Sequence, residues 1–159
     1  MGSRSKNDLA YIAGFLDGDG SLMLQLKKRS DGNSHIRFVP TICFYQDSRH
    51  DEPLKWIKDV LGIGYISKRN DGMTELRING YGQVRKIISD LSPYIKFKAI
   101  QAKHLLDALT ILQSKTFSKL DKADLNKLVQ IMFGIQKENY VTKRKRTKTE
   151  LRKVLGLTP

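Results

Sequence analysis

Two periodicities of apolar residues alternate along this chain. Apolar residues recur at helical spacing in five segments, residues 8–17, 51–62, 80–91, 98–112 and 120–136. Apolar and polar residues alternate, as in half-buried strands, in four segments, residues 22–29, 35–45, 65–69 and 73–79. Asp8 suits the N-cap of the first helix. A capping box from Thr147 to Glu150 predicts a short last helix.

The order of these segments is helix, two strands, helix, two strands and then helices. It predicts an α+β fold in which four antiparallel strands form one sheet and helices cover its apolar face. Pro40 interrupts the second strand, which indicates an edge or a bulged stretch. One domain is expected over residues 8–137, after a disordered N-terminus or cloning scar over 1–7. Residues 138–159 would form a basic C-terminal extension with the short helix.

The charge of the chain changes this picture most. Its 159 residues carry 29 Lys and Arg against 16 Asp and Glu, a formal net charge of +13. Such an excess predicts a polyanion or an anionic membrane surface as the partner. The membrane is disfavoured, because the bases lie on predicted strands and no amphipathic helix pairs a basic face with exposed Trp or Phe. A single cysteine, Cys43, excludes an internal disulfide and a CxxC metal site, and fits a reducing intracellular setting. No apolar run approaches the ~20 residues of a membrane span, and no signal peptide is predicted.

The polar face of the predicted sheet carries the candidate nucleic-acid contacts. They are Gln25, Lys27, Arg29, Arg37, Ser67, Arg69, Glu75 and Arg77. Gln and Arg read base edges in the major groove, which admits a two-stranded ribbon. A solvated face would also carry polar residues, but it should mix the signs of charge, and this face holds one acid. The basic run that includes Lys143 and Arg144 would add phosphate contacts, or would be a solvated stretch.

Acidic residues at the end of the first helix stand out in a basic protein. The segment 17–20 reads Asp-Gly-Asp-Gly, where a helix macrodipole disfavours acids and free carbonyls favour a cation such as Mg²⁺. An ordinary Asp-Gly turn is the alternative. Small residues at helical spacing would let two helices pack closely in a C2 dimer, or would pack inside the monomer. They are Ala10, Ala13, Gly14 and Asp17.

These residues resemble a known family. Residues 9–20 read LAYIAGFLDGDG, which is similar to the LAGLIDADG motif of intron-encoded homing endonucleases with one motif per chain. Residues 62–65 (GIGY), 93–98 (PYIKFK) and 101–102 (QA) also match the family pattern. The resemblance covers about residues 8–112 well, and it is specific because these segments occur together.

The resemblance implies a homodimeric, sequence-specific endonuclease with an αββαββα core. Each saddle-shaped sheet would lie in the major groove of a long, near-palindromic DNA site. Metal-dependent hydrolysis of both strands would leave 3′ overhangs, with Mg²⁺ as cofactor, Mn²⁺ as a substitute and Ca²⁺ supporting binding without cutting. The enzyme would act wherever the host gene's DNA lies, in the cytoplasm or an organelle.

Site residues follow from the same resemblance. Asp19 matches the essential metal-binding acid, and Gly18 matches a position that offers its carbonyl. Gln46 matches a polar residue that orders water, and Lys98 matches the basic residue beside the scissile phosphate. His50 stands where a common relative carries arginine. Without the resemblance, Lys98 would read as an ordinary surface lysine.

Two alternatives remain open at this level. Some relatives with this motif act as RNA maturases or as regulators, so a non-catalytic nucleic-acid binder with intron RNA as a partner is the first. A basic structural RNA-binding protein, such as a ribosomal component, is the second. It would not need the small-residue stripe.

Overall fold

Helices and strands follow one another in this protein in the order that the periodicity predicts. The computed structural model describes residues 4–29, 36–139 and 146–157. The first half of the described chain comprises α1 (Lys6–Asp19), β1 (Gly20–Lys28), β2 (Ile36–Asp47), a 3₁₀ turn (Ser48–His50), α2 (Glu52–Leu61), β3 (Tyr65–Lys68) and β4 (Met73–Asn79). The second half comprises α3 (Tyr81–Leu91), α4 (Ala99–Ser114), a 3₁₀ turn (Phe117–Lys119), α5 (Lys122–Glu138) and α6 (Lys148–Val154).

The four strands form a single antiparallel sheet in the order β1-β2-β4-β3. The register places Leu22 opposite Ile42, and Phe44 opposite Leu76. These side chains share the face that lies against the helices, and all four are buried. Because side chains alternate across a strand, the residues between them form the opposite, polar face. The expected α+β architecture with an αββαββα order is confirmed.

Pro40 lies where β2 is locally an edge of the sheet, and β2 does not bulge there. It lies opposite Leu24 of β1 in a continuous register. The pairing between β2 and β4 begins one residue later, with Thr41 opposite Asn79. A residue without an N–H therefore stands where β2 has a neighbour on one side only, which proline tolerates. The expectation of an edge at Pro40 is therefore confirmed, because β4 ends before it reaches this position, and the alternative of a bulge is not observed.

The N-terminal segment is tied to the helical layer. Ser5, rather than the expected Asp8, is the N-cap of α1, and its hydroxyl accepts the N–H of Asp8 at 3.0 Å. The Arg4 guanidinium donates to the Asp90 carboxylate and, at 2.5 Å, to the carbonyl of Leu61. The expectation of a disordered segment over 1–7 is therefore wrong for residues 4–7. Residues 1–3 lie outside the described residues.

The C-terminal helices complete the layer on the apolar side of the sheet. The capping box from Thr147 to Glu150 begins α6 as expected. Leu151 of α6 is fully buried in the same core as the sheet. At the end of α5, the Asn139 side-chain amide donates to the carbonyl of Leu22 at 3.2 Å and so joins this layer to β1. In the described ranges, no helix is both long and apolar enough to cross a membrane.

Candidate active site

Asp19, the last residue of α1, lies at the rim of a cavity. The strand β1 begins directly at Gly20, whose N–H caps the helix on the carbonyl of Leu16. A Cβ at Gly20 would lie 2.9 Å from the backbone of Leu16, so the sharp change from helix to strand requires glycine there. Asp19 and Gly18 are both exposed at this point. The local sequence therefore presents a carboxylate and helix-end carbonyls to the outside.

The cavity brings the three expected catalytic residues together. Its volume is about 710 Å³, and Asp19, Gln46 and Lys98 all line it. They come from α1, from β2 and from the residue that precedes α4. Glu138 from the end of α5 and Asp47 also line the cavity. Neither was predicted, because no local pattern reveals that the end of α5 reaches this place.

Asp17 is a buried member of the cavity wall, and its carboxylate is turned toward backbone donors. It is only 6% exposed. Its carboxylate accepts the backbone N–H of Lys96 at 2.7 Å and that of Lys98 at 3.0 Å. The two acids of the Asp-Gly-Asp-Gly segment therefore differ. Both carboxylate oxygens of Asp17 accept hydrogen bonds from backbone N–H groups of the monomer, whereas Asp19 is exposed.

Lys98 is held inside the cavity wall. It is 8% exposed, and its ammonium donates to the backbone carbonyl of Asp17 at 2.6 Å. Burial lowers the pKa of Lys98 below its ordinary value, and the nearby charges of Asp17 and Asp19 partly oppose that shift. Lys98 is therefore not an ordinary surface lysine, because its ammonium is buried beside carboxylates. The cavity therefore combines an exposed acid with a fixed cation.

Gln46 lies at the end of β2, where the strand turns into the 3₁₀ helix. Its side-chain oxygen accepts the N–H of Asp47 at 3.0 Å. The carboxylate of Asp47 accepts from the Arg49 side chain at 2.7 and 3.0 Å. Hydrogen bonds from Arg49 hold the pKa of Asp47 well below its usual range. His50 is exposed on the same 3₁₀ turn and is not among the described residues that line the cavity.

A buried polar network fixes that turn to the sheet. The Thr74 hydroxyl on β4 donates to the Asp51 carboxylate at 3.0 Å and shares a 2.8 Å hydrogen bond with the Ser48 hydroxyl. The N–H of Ser48 also donates to the carbonyl of Gly72 at 2.9 Å. Gln46, two residues before Ser48, therefore sits on a rigid support. Sequence reasoning missed this network because its members are 23 to 26 residues apart.

Glu75 organises one half of the polar sheet face. Its carboxylate accepts from the Arg77 guanidinium at 3.2 and 3.3 Å and from the Ser67 hydroxyl at 3.3 Å. Arg69 forms a longer ion pair with it, 3.9 Å between the charged atoms. Four of the predicted DNA contacts are therefore one connected cluster. Cys43 lies below it and donates to Glu75 at 3.8 Å, and burial raises the pKa of that thiol to about 11.

The other half of the polar face concentrates positive charge. Lys27 of β1 lies directly opposite Arg37 of β2, and both side chains are exposed. Like charges placed opposite each other destabilise a sheet, so this pair indicates selection for something other than stability. Gln25 shares this face of β1, and Arg29 follows directly after the strand. Lys143 and Arg144 lie outside the described residues.

The small-residue stripe divides between the inside and the outside of the monomer. Ala13 and Asp17 are buried, so the expectation that they contact a partner is wrong. Ala10 and Gly14 are exposed, as is Gly18 one turn further on. A Cβ at Gly14 or Gly18 would meet none of the described atoms within 4 Å. The outward stripe therefore runs at a spacing of four residues.

Exposed aromatic side chains near α1 were not predicted. Tyr11 is 67% exposed and packs edge-on against Trp56, with 5.6 Å between the ring centroids. Phe97 is 83% exposed and stands between the two N–H donors that Asp17 holds. The only signal in the sequence was that Phe97 interrupts a lysine pair just before a helix. Exposed apolar groups of this size indicate a covered surface.

Comparisons with known proteins agree with this geometry. The family model for the LAGLIDADG endonuclease matches residues 12–109. The DNA endonuclease I-CvuI of Chlorella vulgaris is 32% identical over 100 residues, which are 63% of this chain and 62% of the relative. The DNA endonuclease I-CreI of Chlamydomonas reinhardtii is 27% identical over 110 residues, which are 69% of this chain and 67% of the relative. The match to the Chlorella protein thus spans less than two thirds of its length.

Solved structures extend the similarity over nearly the whole chain. I-CvuI in complex with the I-CreI target, with 2 mM Mg present and the DNA not cleaved, gives a TM-score of 0.81 at 26% identity and covers 96% of each chain. I-CvuI in complex with its own target in 2 mM Ca matches equally well. The family model spans more than half of the residues, and the fold and the exposed acid at the end of α1 agree with it. The chain belongs to the LAGLIDADG endonuclease family.

Proposed function

We propose that this protein is a sequence-specific, metal-dependent DNA endonuclease that works as a homodimer on a long, near-palindromic site. It hydrolyses one phosphodiester bond in each strand and leaves 3′ overhangs. The observation that carries the proposal is the cavity in which Asp19, Gln46 and Lys98 meet. I-CvuI, a relative of the same fold, was crystallised with DNA in the presence of Mg or Ca.

The residues at the end of α1 suit a divalent cation. The Asp19 carboxylate and the Gly18 carbonyl supply hard oxygen ligands where a helix end is already negative. The described residues contain no cluster of three His, Cys, Asp or Glu that could hold a metal by itself. A dimer that pairs two copies of Asp19, together with DNA phosphate oxygens, would complete the ligand set. When bound, Mg²⁺ would lower the pKa of the attacking water and neutralise developing charge.

Lys98 and Gln46 have different roles in the proposed reaction. The buried Lys98 ammonium stabilises the extra negative charge on the phosphoryl oxygens as the transition state forms. Its position in a wall of low polarity strengthens this interaction relative to water. The Gln46 amide, held at the end of β2, orients water at the scissile phosphate. Asp47 lines the same cavity, whereas the exposed His50 is not among the described residues of its lining.

The polar face of the sheet is the proposed DNA-reading surface. Arg77 and Arg69 read base edges from the Glu75 cluster, and Lys27 and Arg37 neutralise phosphates. Gln25 Oε1 is buried without a hydrogen-bond partner among the described residues, so paired hydrogen bonds with an adenine edge would require this amide to turn outward. Lys143 and Arg144 would add phosphate contacts. The compartment in which the protein acts is then the one that holds its DNA target.

The second subunit would pack against α1. The outward stripe of Ala10, Gly14 and Gly18 allows two helices to approach closely, and Tyr11 and Phe97 flank it with exposed apolar surface. A two-fold axis along this helix brings the two Asp19 residues close together. One acidic helix end per chain is then sufficient for a site that cuts two strands.

A selection experiment tests the proposal. Random duplex DNA is selected on the protein in Ca²⁺, and Mg²⁺ is then added to the recovered sequences. We expect a pseudo-palindromic consensus of about two helical turns, cut near its centre on both strands. Asp19→Asn should keep the binding and lose the cutting. Asp59→Asn, an exposed aspartate on α2, is the matched control and should cut normally.

Each other outcome has a definite meaning. A consensus that is bound but never cut in Mg²⁺ or Mn²⁺ would replace the endonuclease by a regulator. Salt-sensitive binding without a consensus would favour intron RNA as the partner, to be checked with the same protein on structured RNA. Full cutting by Asp19→Asn would remove that residue from the metal site.

A further inference from the structure

We propose that Asp17 is a positioning residue that holds Lys98 in its working place, an inference that rests on the proposed function. Both oxygens of its carboxylate are engaged by backbone N–H groups, so its role would be indirect. It acts through three hydrogen bonds to the segment that carries Lys98. The two acids at the end of α1 then have different roles: Asp17 positions Lys98, and Asp19 would bind the metal.

The first support is the way both oxygens of the carboxylate are used. Oδ2 accepts the Lys96 N–H at 2.7 Å, and Oδ1 accepts the Lys98 N–H at 3.0 Å. Hydrogen bonds to a charged acceptor are about twice as strong as neutral ones. They connect the end of α1 to a segment about 80 residues later in the chain. The backbone of Lys98 is therefore fixed relative to Asp19, which follows Asp17 by two residues.

The second support is the position of Lys98 at the start of α4. Lys98 is the N-cap residue of this helix, and within the described chain its own side chain makes no capping hydrogen bond. The Asp17 carboxylate lies at that helix start and accepts the N–H of Lys98. A negative charge is stabilised near a helix N-terminus by the macrodipole. Asp17 thus accepts the N–H of the N-cap residue from α1, as the N3 side chain of a capping box would do locally.

The third support is that Asp17 also holds the other end of Lys98. Its backbone carbonyl accepts the Lys98 ammonium at 2.6 Å. A long, flexible side chain is therefore tied at its backbone N–H and at its tip to the same residue. Such a double attachment reduces the freedom of the ammonium before any substrate arrives, and preorganised charge is what stabilises a transition state.

A double-mutant cycle tests this role. Asp17→Asn keeps the shape but places an amide NH₂ against one of the two N–H donors. We expect its single-turnover cleavage rate in Mg²⁺ to fall by about 10²-fold, since a misplacement of 1 Å can have that effect. DNA affinity in Ca²⁺ should stay within about twofold of the wild type, because the Asp17 side chain is buried and both its oxygens accept backbone N–H groups. Lys98→Met should also cleave slowly, and the double variant should be no slower than Lys98→Met.

A matched control separates positioning from a loss of stability. Asp121 is the N-cap of α5, and its carboxylate accepts the N–H of Asp124 at 2.8 Å. Asp121→Ala removes a helix cap about 25 Å from the cavity end of that helix, at a rise of about 1.5 Å per residue. It should lower the melting temperature and leave the cleavage rate unchanged.

The outcomes are distinct. Multiplying defects in the double variant, or a normal rate for Asp17→Asn, would overturn this inference while the wild type still cleaves. If Asp17→Asn does not fold, Asp17→Glu keeps the charge and shifts its oxygens, and the same cycle with Lys98→Met applies. A wild-type protein that cleaves no DNA would overturn the proposed function and this inference together.

Discussion

Removing the charge of Lys27 should strengthen the fold and weaken DNA binding at the same time. Lys27 and Arg37 lie opposite each other on neighbouring strands, with both side chains exposed. Residues in such pairs have their Cβ atoms about 5 Å apart, and like charges there cost a few tenths of a kcal/mol. Lys27→Met keeps most of the aliphatic stem and removes the repulsion. We therefore expect a small rise in melting temperature at low salt.

The effect on DNA follows from counterion release. Each phosphate neutralised by the protein contributes about 0.9 to the slope of log K against log salt. In a homodimer the substitution removes two contacts, so the slope should become shallower by about 1.8. Over a fourfold rise in salt concentration, the variant should lose about tenfold less affinity than the wild type. Its affinity at low salt should nevertheless be lower.

The assay is a titration of the selected duplex in Ca²⁺ at several NaCl concentrations, paired with thermal unfolding. Lys55→Met is the matched control, because Lys55 lies on α2 and pairs with Glu52 at 2.7 Å. It should leave the salt slope unchanged. An unchanged slope for Lys27→Met together with a lower melting temperature would refute the reasoning, since it would make Lys27 an ordinary stabilising surface residue.

Three further predictions concern other parts of the molecule. Glu75→Gln should weaken the hydrogen bonds that hold Arg77 and so relax the base preference at one or two positions in each half-site. Repeating the selection measures this change, and an unchanged consensus would exclude Glu75 from positioning Arg77. Phe97→Asp should yield monomers in sedimentation velocity, and a dimer of normal affinity would exclude this surface from the interface. Cys43 should resist thiol reagents at pH 8 in the folded protein, because burial raises its pKa to about 11. For the same reason, stability should fall as pH rises from about 9 to about 11, since the folded state holds the thiol proton more tightly than the unfolded chain.

The sequence predicted those features that depend on local periodicity. Alternation placed Leu22 and Phe44 on the buried face and Lys27 and Arg77 on the polar face, and the sheet has this arrangement. Because side chains alternate along a strand with a period of two, the residues that share a face can be assigned without knowing the partner strand. The helix boundaries were also close, except where Ser5 replaced Asp8 as a cap.

Features that depend on distant partners could not be predicted in this way. Helical spacing grouped Asp17 with Ala10 and Gly14. The spacing does not reveal that the backbone N–H groups of Lys96 and Lys98 lie against α1 and bind the Asp17 carboxylate. Glu75 was counted as a lone acid among bases, whereas its two oxygens organise the cluster around Arg77. Both errors concern polar groups whose partners lie on other elements. The burial of a carboxylate is decided by those partners and not by its neighbours in sequence.

The short segment from Lys96 to Lys98 has one consequence for how such an enzyme can change. Asp17 grips its first and last N–H groups, while Phe97 between them points out of the monomer and is 83% exposed. The same three residues thus contribute exposed apolar surface and an ammonium toward the cavity. In the proposed dimer, a mutation that remodels a contact at Phe97 would have to be compatible with the placement of Lys98. Lineages that alter the contact, for example by fusing two copies into one chain, would have to do so elsewhere along α1 or adjust this turn and the chemistry together.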